Sequence, residues 1–225
     1  CVTINSLLLQ KIFKNIFGLL AGAKNKRLPP ISFTLDKETK SNLLKGYFSG
    51  DGSIYSAERG KFKIEAGTVS EELANDLLYL LLDFGIVAAC YKKRERTGST
   101  THRITILGVK NFEKFSEIGF IDRLRNDRIS QYIESRKWSR SDLIPLSGEL
   151  HNLASNYSRV YSTNESIGSE YLKNILLSVD KERVKYKEYW DLVGGDVCFD
   201  LVKEIRLLKE EDYVYDLSVP GEQNF

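Results

Sequence analysis

Asp51 stands between two glycines in Leu44-Lys45-Gly46-Tyr47-Phe48-Ser49-Gly50-Asp51-Gly52, straight after a stretch with helical apolar spacing. A carboxylate held where a helix stops presents oxygen atoms to whatever lies beyond, and oxygen donors suit a hard divalent cation. The plainer alternative is a solvated turn acid in an ordinary helix stop, since two glycines around an acid do not continue a helix comfortably. A second kind of chemistry is spread along strands. Lys61 and Lys63 share the polar side of an alternating run, while Lys92, Lys93, Arg94, Arg96 and Arg103 gather on a hairpin, and both groups suit a polyanion. Cys1, Cys90 and Cys198 are odd in number and widely spaced, which points to neither a disulfide framework nor a zinc cluster.

Those residues need a scaffold, and the hydrophobic pattern supplies one. Leu7 to Leu20 has helical spacing and leads through Lys24, Lys26 and Arg27 to Pro29-Pro30. A second helix is expected from Asp36, a plausible N-cap, to Tyr47, ended by Gly50-Asp51-Gly52. Phe62, Ile64 and Ala66 alternate with Lys61, Lys63 and Glu65 as a half-buried strand. Ser70 caps an apolar helix that runs to Phe84 and stops at Gly85. Ile86–Arg96 and His102–Leu107 form a hairpin across Thr97-Gly98-Ser99. Two more helices, Lys110–Ile118 and Ile121–Lys137, are separated by Gly119. The order predicts an α+β unit on an antiparallel sheet. Leu143–Asn156 is less regular, Asn156–Gly168 is a Ser/Asn-rich linker, and short helices follow near Ser169–Leu177 and Glu182–Leu192. Val197–Leu208 and Tyr213–Val219 close the chain as strands.

Composition bounds the class. The 225 residues are 42% hydrophobic and 28% charged, an ordinary globular balance. No apolar run is long enough to cross a bilayer, no signal-peptide pattern opens the chain, and the expected location is intracellular, cytoplasmic in a prokaryotic-type cell. The absence of methionine and the stop at Asn224-Phe225 mark the chain as an expected piece of a longer reading frame. Net charge is +2, but thirteen Lys/Arg face six Asp/Glu from Tyr91 to Arg140, against five and ten from Val184 to Phe225. Only the first portion has the balance to seek a polyanion.

The segment Leu44 to Gly52 resembles the LAGLIDADG homing endonucleases. Gly46 matches the family's interface glycine, where small residues let two helices pack closely. Gly50-Asp51-Gly52, followed by Ser53-Ile54, matches the terminal acid between small residues. Phe17-Gly18 through Ala23-Lys24-Asn25-Lys26-Arg27-Leu28-Pro29-Pro30, Thr68-Val69-Ser70 with Leu77–Gly85, and Ile118-Gly119-Phe120 extend the likeness over about Ile16 to Pro145. Position 49, often acidic in the family, is serine. Leu19-Leu20-Ala21-Gly22-Ala23 imitates the motif's name but supplies no acid.

The resemblance implies a saddle-shaped antiparallel sheet with helices on one face, and metal-dependent hydrolysis of duplex DNA. It implies Mg²⁺, or another divalent ion such as Mn²⁺, on Asp51 and the Gly50 carbonyl. Arg123 and Arg125 stand near the family's usual basic position and, holding their protons tightly, suit charge stabilisation rather than base catalysis. Lys61, Lys63, Lys92, Lys93, Arg94, Arg96 and Arg103 become expected DNA contacts. The family works with two motifs, so a second LAGLIDADG half is expected, either before Cys1 or as a homodimer partner. The alternative is a DNA-binding or structural remnant that no longer cuts.

Tyr213-Val214-Tyr215-Asp216-Leu217-Ser218-Val219-Pro220-Gly221-Glu222, ending Asn224-Phe225, resembles the C-terminal splicing region of an intein, of the small β-rich Hint type, with Asp216 where such regions carry an assisting aspartate. The chain lacks the terminal His-Asn pair and is not expected to splice alone. The expected division is a basic lead-in over 1–35, an endonuclease half-domain over 36–145, a linker with short helices over 146–195, and a splicing segment over 196–225.

Overall fold

Capping and alternation shape the first unit. Helix α1 (Leu7–Asn15) precedes α2 (Lys37–Asp51), whose first turn is held by Asp36, accepting from the Thr39 amide at 2.9 Å. Strands β1 (Gly52–Ala57) and β2 (Lys61–Thr68) follow, then α3 (Glu71–Leu82), capped by Ser70. A second hairpin, β3 (Ala88–Arg94) and β4 (Thr100–Ile106), leads to α4 (Val109–Ile118) and α5 (Arg123–Ser135). The computed structural model describes residues 5–19, 21–57, 61–95, 98–135, 143–158, 164–179 and 185–195, with single positions 197, 199, 202, 204, 205 and 207.

The four strands form one antiparallel sheet in the order β1-β2-β4-β3, so the expected α+β class holds. Period two decides which side chains face the helices. Ile54, Ile64, Ala66, Ile104 and Ile106 are buried against Leu44, Phe48, Leu73, Leu77, Phe112 and Phe115. Phe48 and Phe115 meet edge to face at 5.0 Å. Burial of that many large apolar side chains, at roughly 2 kcal/mol each, is what fixes α2 on the sheet. The α2 helix continues past Tyr47 through Gly50 and Asp51, and Gly52 rather than Gly50 ends it.

The lead-in is tied to this core. Buried Asp76 accepts the Leu28 amide at 2.8 Å, the Ser70 hydroxyl donates to the Lys26 carbonyl, and Leu28 and Ser32 are buried. By contrast, no residue of α1 is buried.

Over 143–168 the structure departs from the sequence reading: instead of an irregular stretch and linker, β5 (Leu143–Pro145) pairs antiparallel with β6 (Ser166–Gly168), and α6 (Gly148–Tyr157) lies between them in the chain. The short helices expected beyond are present as α7 (Ser169–Ser178) and α8 (Lys187–Gly194), the second beginning later than Glu182. Ile144, Leu150, Leu153, Ile167, Leu172, Ile175 and Leu176 make a separate apolar cluster. Strands of three residues are too short for alternation to be visible in sequence. The expected strand Tyr213–Val219 and Asp216 lie outside the described residues, and of Val197–Leu208 only the six single positions are described, none of them in a strand.

Candidate functional site

The C-terminal end of α2 is built around a steric necessity. A Cβ on Gly52 would lie 2.5 Å from the Phe48 carbonyl oxygen, so only glycine lets the chain turn there from helix to strand. Gly46 and Gly50 are different: a Cβ on either meets nothing within 4 Å. Four residues apart, they share one exposed face of the helix. Asp51 is the last helical residue, and it is exposed.

A helix end leaves carbonyls without intrahelical partners and carries partial negative charge. Arg125 meets that demand from α5. Its Nη1 donates to the carbonyls of Phe48 and Gly52 at 3.2 and 2.8 Å, and its Nη2 to that of Ser49 at 2.8 Å. Nε bonds Asp122, whose other oxygen accepts the Arg125 amide at 2.9 Å. The guanidinium also lies over the Phe120 ring at 4.4 Å. Four of its five N–H donors are thereby engaged. Arg125, expected to stabilise charge, here holds the backbone that carries Asp51. The Gly50 carbonyl is not among the three it takes.

Arg123, named beside it in the sequence, stands differently. Its side chain is 92% exposed and pairs loosely with Asp127 at 3.9 Å along α5, and it makes no contact with the Asp51 group among the described residues. Ser49, at the position that is often acidic in the family it resembles, accepts the Ile121 amide at 2.8 Å and so ties the α4–α5 connection to α2.

Tyr47, one turn before Asp51, links this helix end to the sheet. Its hydroxyl lies 3.5 Å from the Gly67 carbonyl of β2. Burial, then the negative charge of Asp51, pushes its pKa up to about 12, so it keeps its proton at neutral pH.

On the sheet, alternation splits the expected basic cluster. Ala88 and Cys90 face the helices, and the same parity carries Lys92 and Arg94 to that side, where Lys92 pairs with Glu71 of α3 at 3.0 Å. Lys63, Lys93 and Arg103 lie on the opposite, helix-free face. The Lys61 side chain and Arg96 fall outside the described residues.

Lys63 and Arg103 do not stand free. Glu65, at the middle of β2 and only 8% exposed, accepts from Lys63 at 2.7 Å, Tyr91 at 2.6 Å and Thr105 at 3.3 Å. Arg103 approaches its second oxygen at 3.6 Å and bonds Glu95 at 2.7 Å, which Thr101 also reaches at 2.7 Å. Lys63 lies over the Tyr55 ring at 4.7 Å. Burial disfavours charge on Glu65, yet the hydrogen bonds from Lys63, Tyr91 and Tyr55 outweigh it and hold the carboxyl at about 2. Glu65, Tyr55 and Tyr91 were not singled out in the sequence. Their signal was the alternation of β2 together with one acid placed between Lys63 and Gly67.

Among the described residues, no three His, Cys, Asp or Glu side chains come together as a metal cluster. The oxygen donors at the helix end include the exposed Asp51 carboxylate and the backbone carbonyls, while the Asp122 carboxylate and the Ser49 hydroxyl are already engaged by Arg125 and the Ile121 amide. No helix among the described residues is long and apolar enough to cross a membrane.

Residues 38–119 match the family model described as a LAGLIDADG-like domain. A DNA polymerase of Thermococcus hydrothermalis is 30% identical over 216 residues, covering 95% of this chain and 11% of that protein. The DNA-directed RNA polymerase subunit Rpo1C of Methanocaldococcus jannaschii is 27% identical over 95% of the chain and 26% of its own length. A probable translation initiation factor IF-2 of the same organism is 27% identical over 57% of the chain and 11% of its own length. The chain therefore spans only about a tenth of the polymerase that it matches.

Proposed function

We propose, from the premise that this chain carries a LAGLIDADG-like domain over residues 38–119, that it is part of a site-specific, metal-dependent DNA endonuclease borne by an intein. The observation that carries the reading is the end of α2. A single exposed carboxylate is held there by a guanidinium on three backbone carbonyls, beside a sheet whose helix-free face is lined with hydrogen-bonding side chains. Asp51 and the Gly50 carbonyl offer hard oxygen atoms, the donor type that Mg²⁺ and Mn²⁺ take. When bound, the cation would polarise a phosphodiester and lower the pKa of a water. Asp51 would hold it, and Arg125 would fix where Asp51 stands.

One carboxylate is half of such a site. Gly46 and Gly50 support a second LAGLIDADG-type half as partner. Alanine at either would meet nothing within the chain and would favour the helix, so the glycines make sense where another helix approaches closely. The intein reading rests on the relatives. One stretch of sequence recurs in a DNA polymerase, an RNA polymerase subunit and a probable initiation factor, three different kinds of protein of which it spans only a small part, as expected of an inserted element. In this reading residues 196–225 belong to the splicing segment, with Asp216 assisting it, and the protein works inside the cell.

A second reading, a DNA-binding remnant that no longer cuts, is favoured by Ser49, which serves the fold where the family often carries an acid. The test is cleavage of a plasmid library with randomised inserts by the full chain, with and without its partner half, in Mg²⁺ or in EDTA. Linear product confined to Mg²⁺ is expected. Selective binding without any cutting in Mg²⁺ would leave the remnant, and cutting that survives EDTA would remove the metal.

A further inference from the structure

Glu65 is out of place on a surface meant for nucleic acid. It lies at the centre of the helix-free face, in register with Ser53 on one side and Thr105 on the other, and it repels phosphate. Among the described side chains of that face and its rim, Lys63, Lys93 and Arg103 are opposed by Glu65 and Glu95, so little positive charge is left. A face selected only to attract the DNA backbone would drop both acids.

What the acids do is fix donors. Groups from three strands end on the Glu65 carboxylate: Lys63 from β2, Tyr91 from β3, and Thr105 and Arg103 from β4. Glu95 holds the other arm of Arg103. Gly67, opposite Arg103 in the register, gives the arginine room, because a Cβ there would sit 3.3 Å from Nη1. Base edges in the major groove are told apart by where donors and acceptors stand, whereas phosphates accept any mobile cation. Long cations held in one geometry lose less freedom on binding and cannot swing to the nearest phosphate.

We infer that Glu65, assisted by Glu95, is a specificity-determining positioning residue: it holds Arg103, Lys63 and Tyr91 for base reading and suppresses sequence-independent binding. The inference rests on the DNA-binding reading above.

The test uses the full chain in EDTA, so that no strand is cut, with a fully randomised duplex library and mixed-sequence genomic DNA as probes. Wild type should enrich a defined sequence from the library. Glu65→Gln should bind genomic DNA more tightly, with a salt slope steeper by about one for each cation released. Its preference for the enriched sequence should fall about tenfold, the scale of one base contact. A merely structural Glu65 would lower the melting temperature without moving slope or preference in the folded protein. A folded Glu65→Gln protein with unchanged slope and preference overturns the inference. If that variant does not fold, Glu95→Gln decides, since it frees one arm of Arg103 from a partly exposed partner: a smaller change of the same sign supports the proposal, and none overturns it. Wild type that fails to bind either probe overturns the DNA-binding reading itself, and this inference with it.

Discussion

The end of α2 and the helix-free face of the sheet solve opposite problems. At the helix end, one carboxylate is left exposed, and the backbone beside it is gripped by Arg125. On the sheet, the charges are already paired with one another, and the face owes its character to a nearly buried acid. Under the proposed function, the group that takes the ligand is kept free while its support is fixed, and the groups that discriminate have their own freedom removed first.

The contrast breaks most readily at the support. Arg125→Ala should leave three carbonyls and Asp122 without their cation and lower stability by about 3 kcal/mol, read as the melting temperature. Arg125→Lys should recover only part of that loss, because an ammonium cannot span three acceptors in a fork. Recovery to wild-type stability by lysine would mean that charge alone is needed there.

The two glycines that flank Asp51 differ in what they are needed for. Gly52→Ala should cost about 2 kcal/mol or more, given the 2.5 Å approach to the Phe48 carbonyl. Gly50→Ala should instead raise the stability of the isolated chain by up to about 1 kcal/mol. The same change should weaken association with a second half in sedimentation. Equal losses at both positions would mean that Gly50 is packed within the chain.

The sheet contributes a smaller, pH-dependent term. The Glu65 carboxyl is depressed from its ordinary 4.5 to about 2 in the folded protein. Its contribution is therefore present above pH 4.5 and fades as pH falls toward 2, because the unfolded chain takes up the proton first. Glu65→Gln should flatten that acid limb of the stability curve and leave the neutral region parallel to wild type. An unchanged acid limb would show that Glu65 is not the group responsible.

How far each region could be foreseen follows from how local it is. The motif around Asp51, the caps at Asp36 and Ser70, and the hairpin of β3 and β4 are written within a few residues, and the sequence displays them. The Arg125 clamp joins positions up to 77 residues apart, and nothing near Arg125 announces its partner. Lys92 and Arg94 looked like neighbours of Lys93 and Arg103 because they are close in sequence, yet strand parity sends them to opposite faces. Continuing the alternation outward from the apolar Ala88 and Cys90 would have separated them. Beyond residue 143 the helices α7 and α8 could be read from the sequence, but β5 and β6 were hidden because each is three residues long.

The most direct test of the account replaces the oxygen donor and little else. Asp51→Asn keeps the size of the side chain and the helix end while removing its charge. Single-turnover cleavage of a selected duplex in Mg²⁺ should fall at least about a hundredfold, with binding of that duplex in EDTA unchanged. Cleavage at the wild-type rate by that variant would contradict the account.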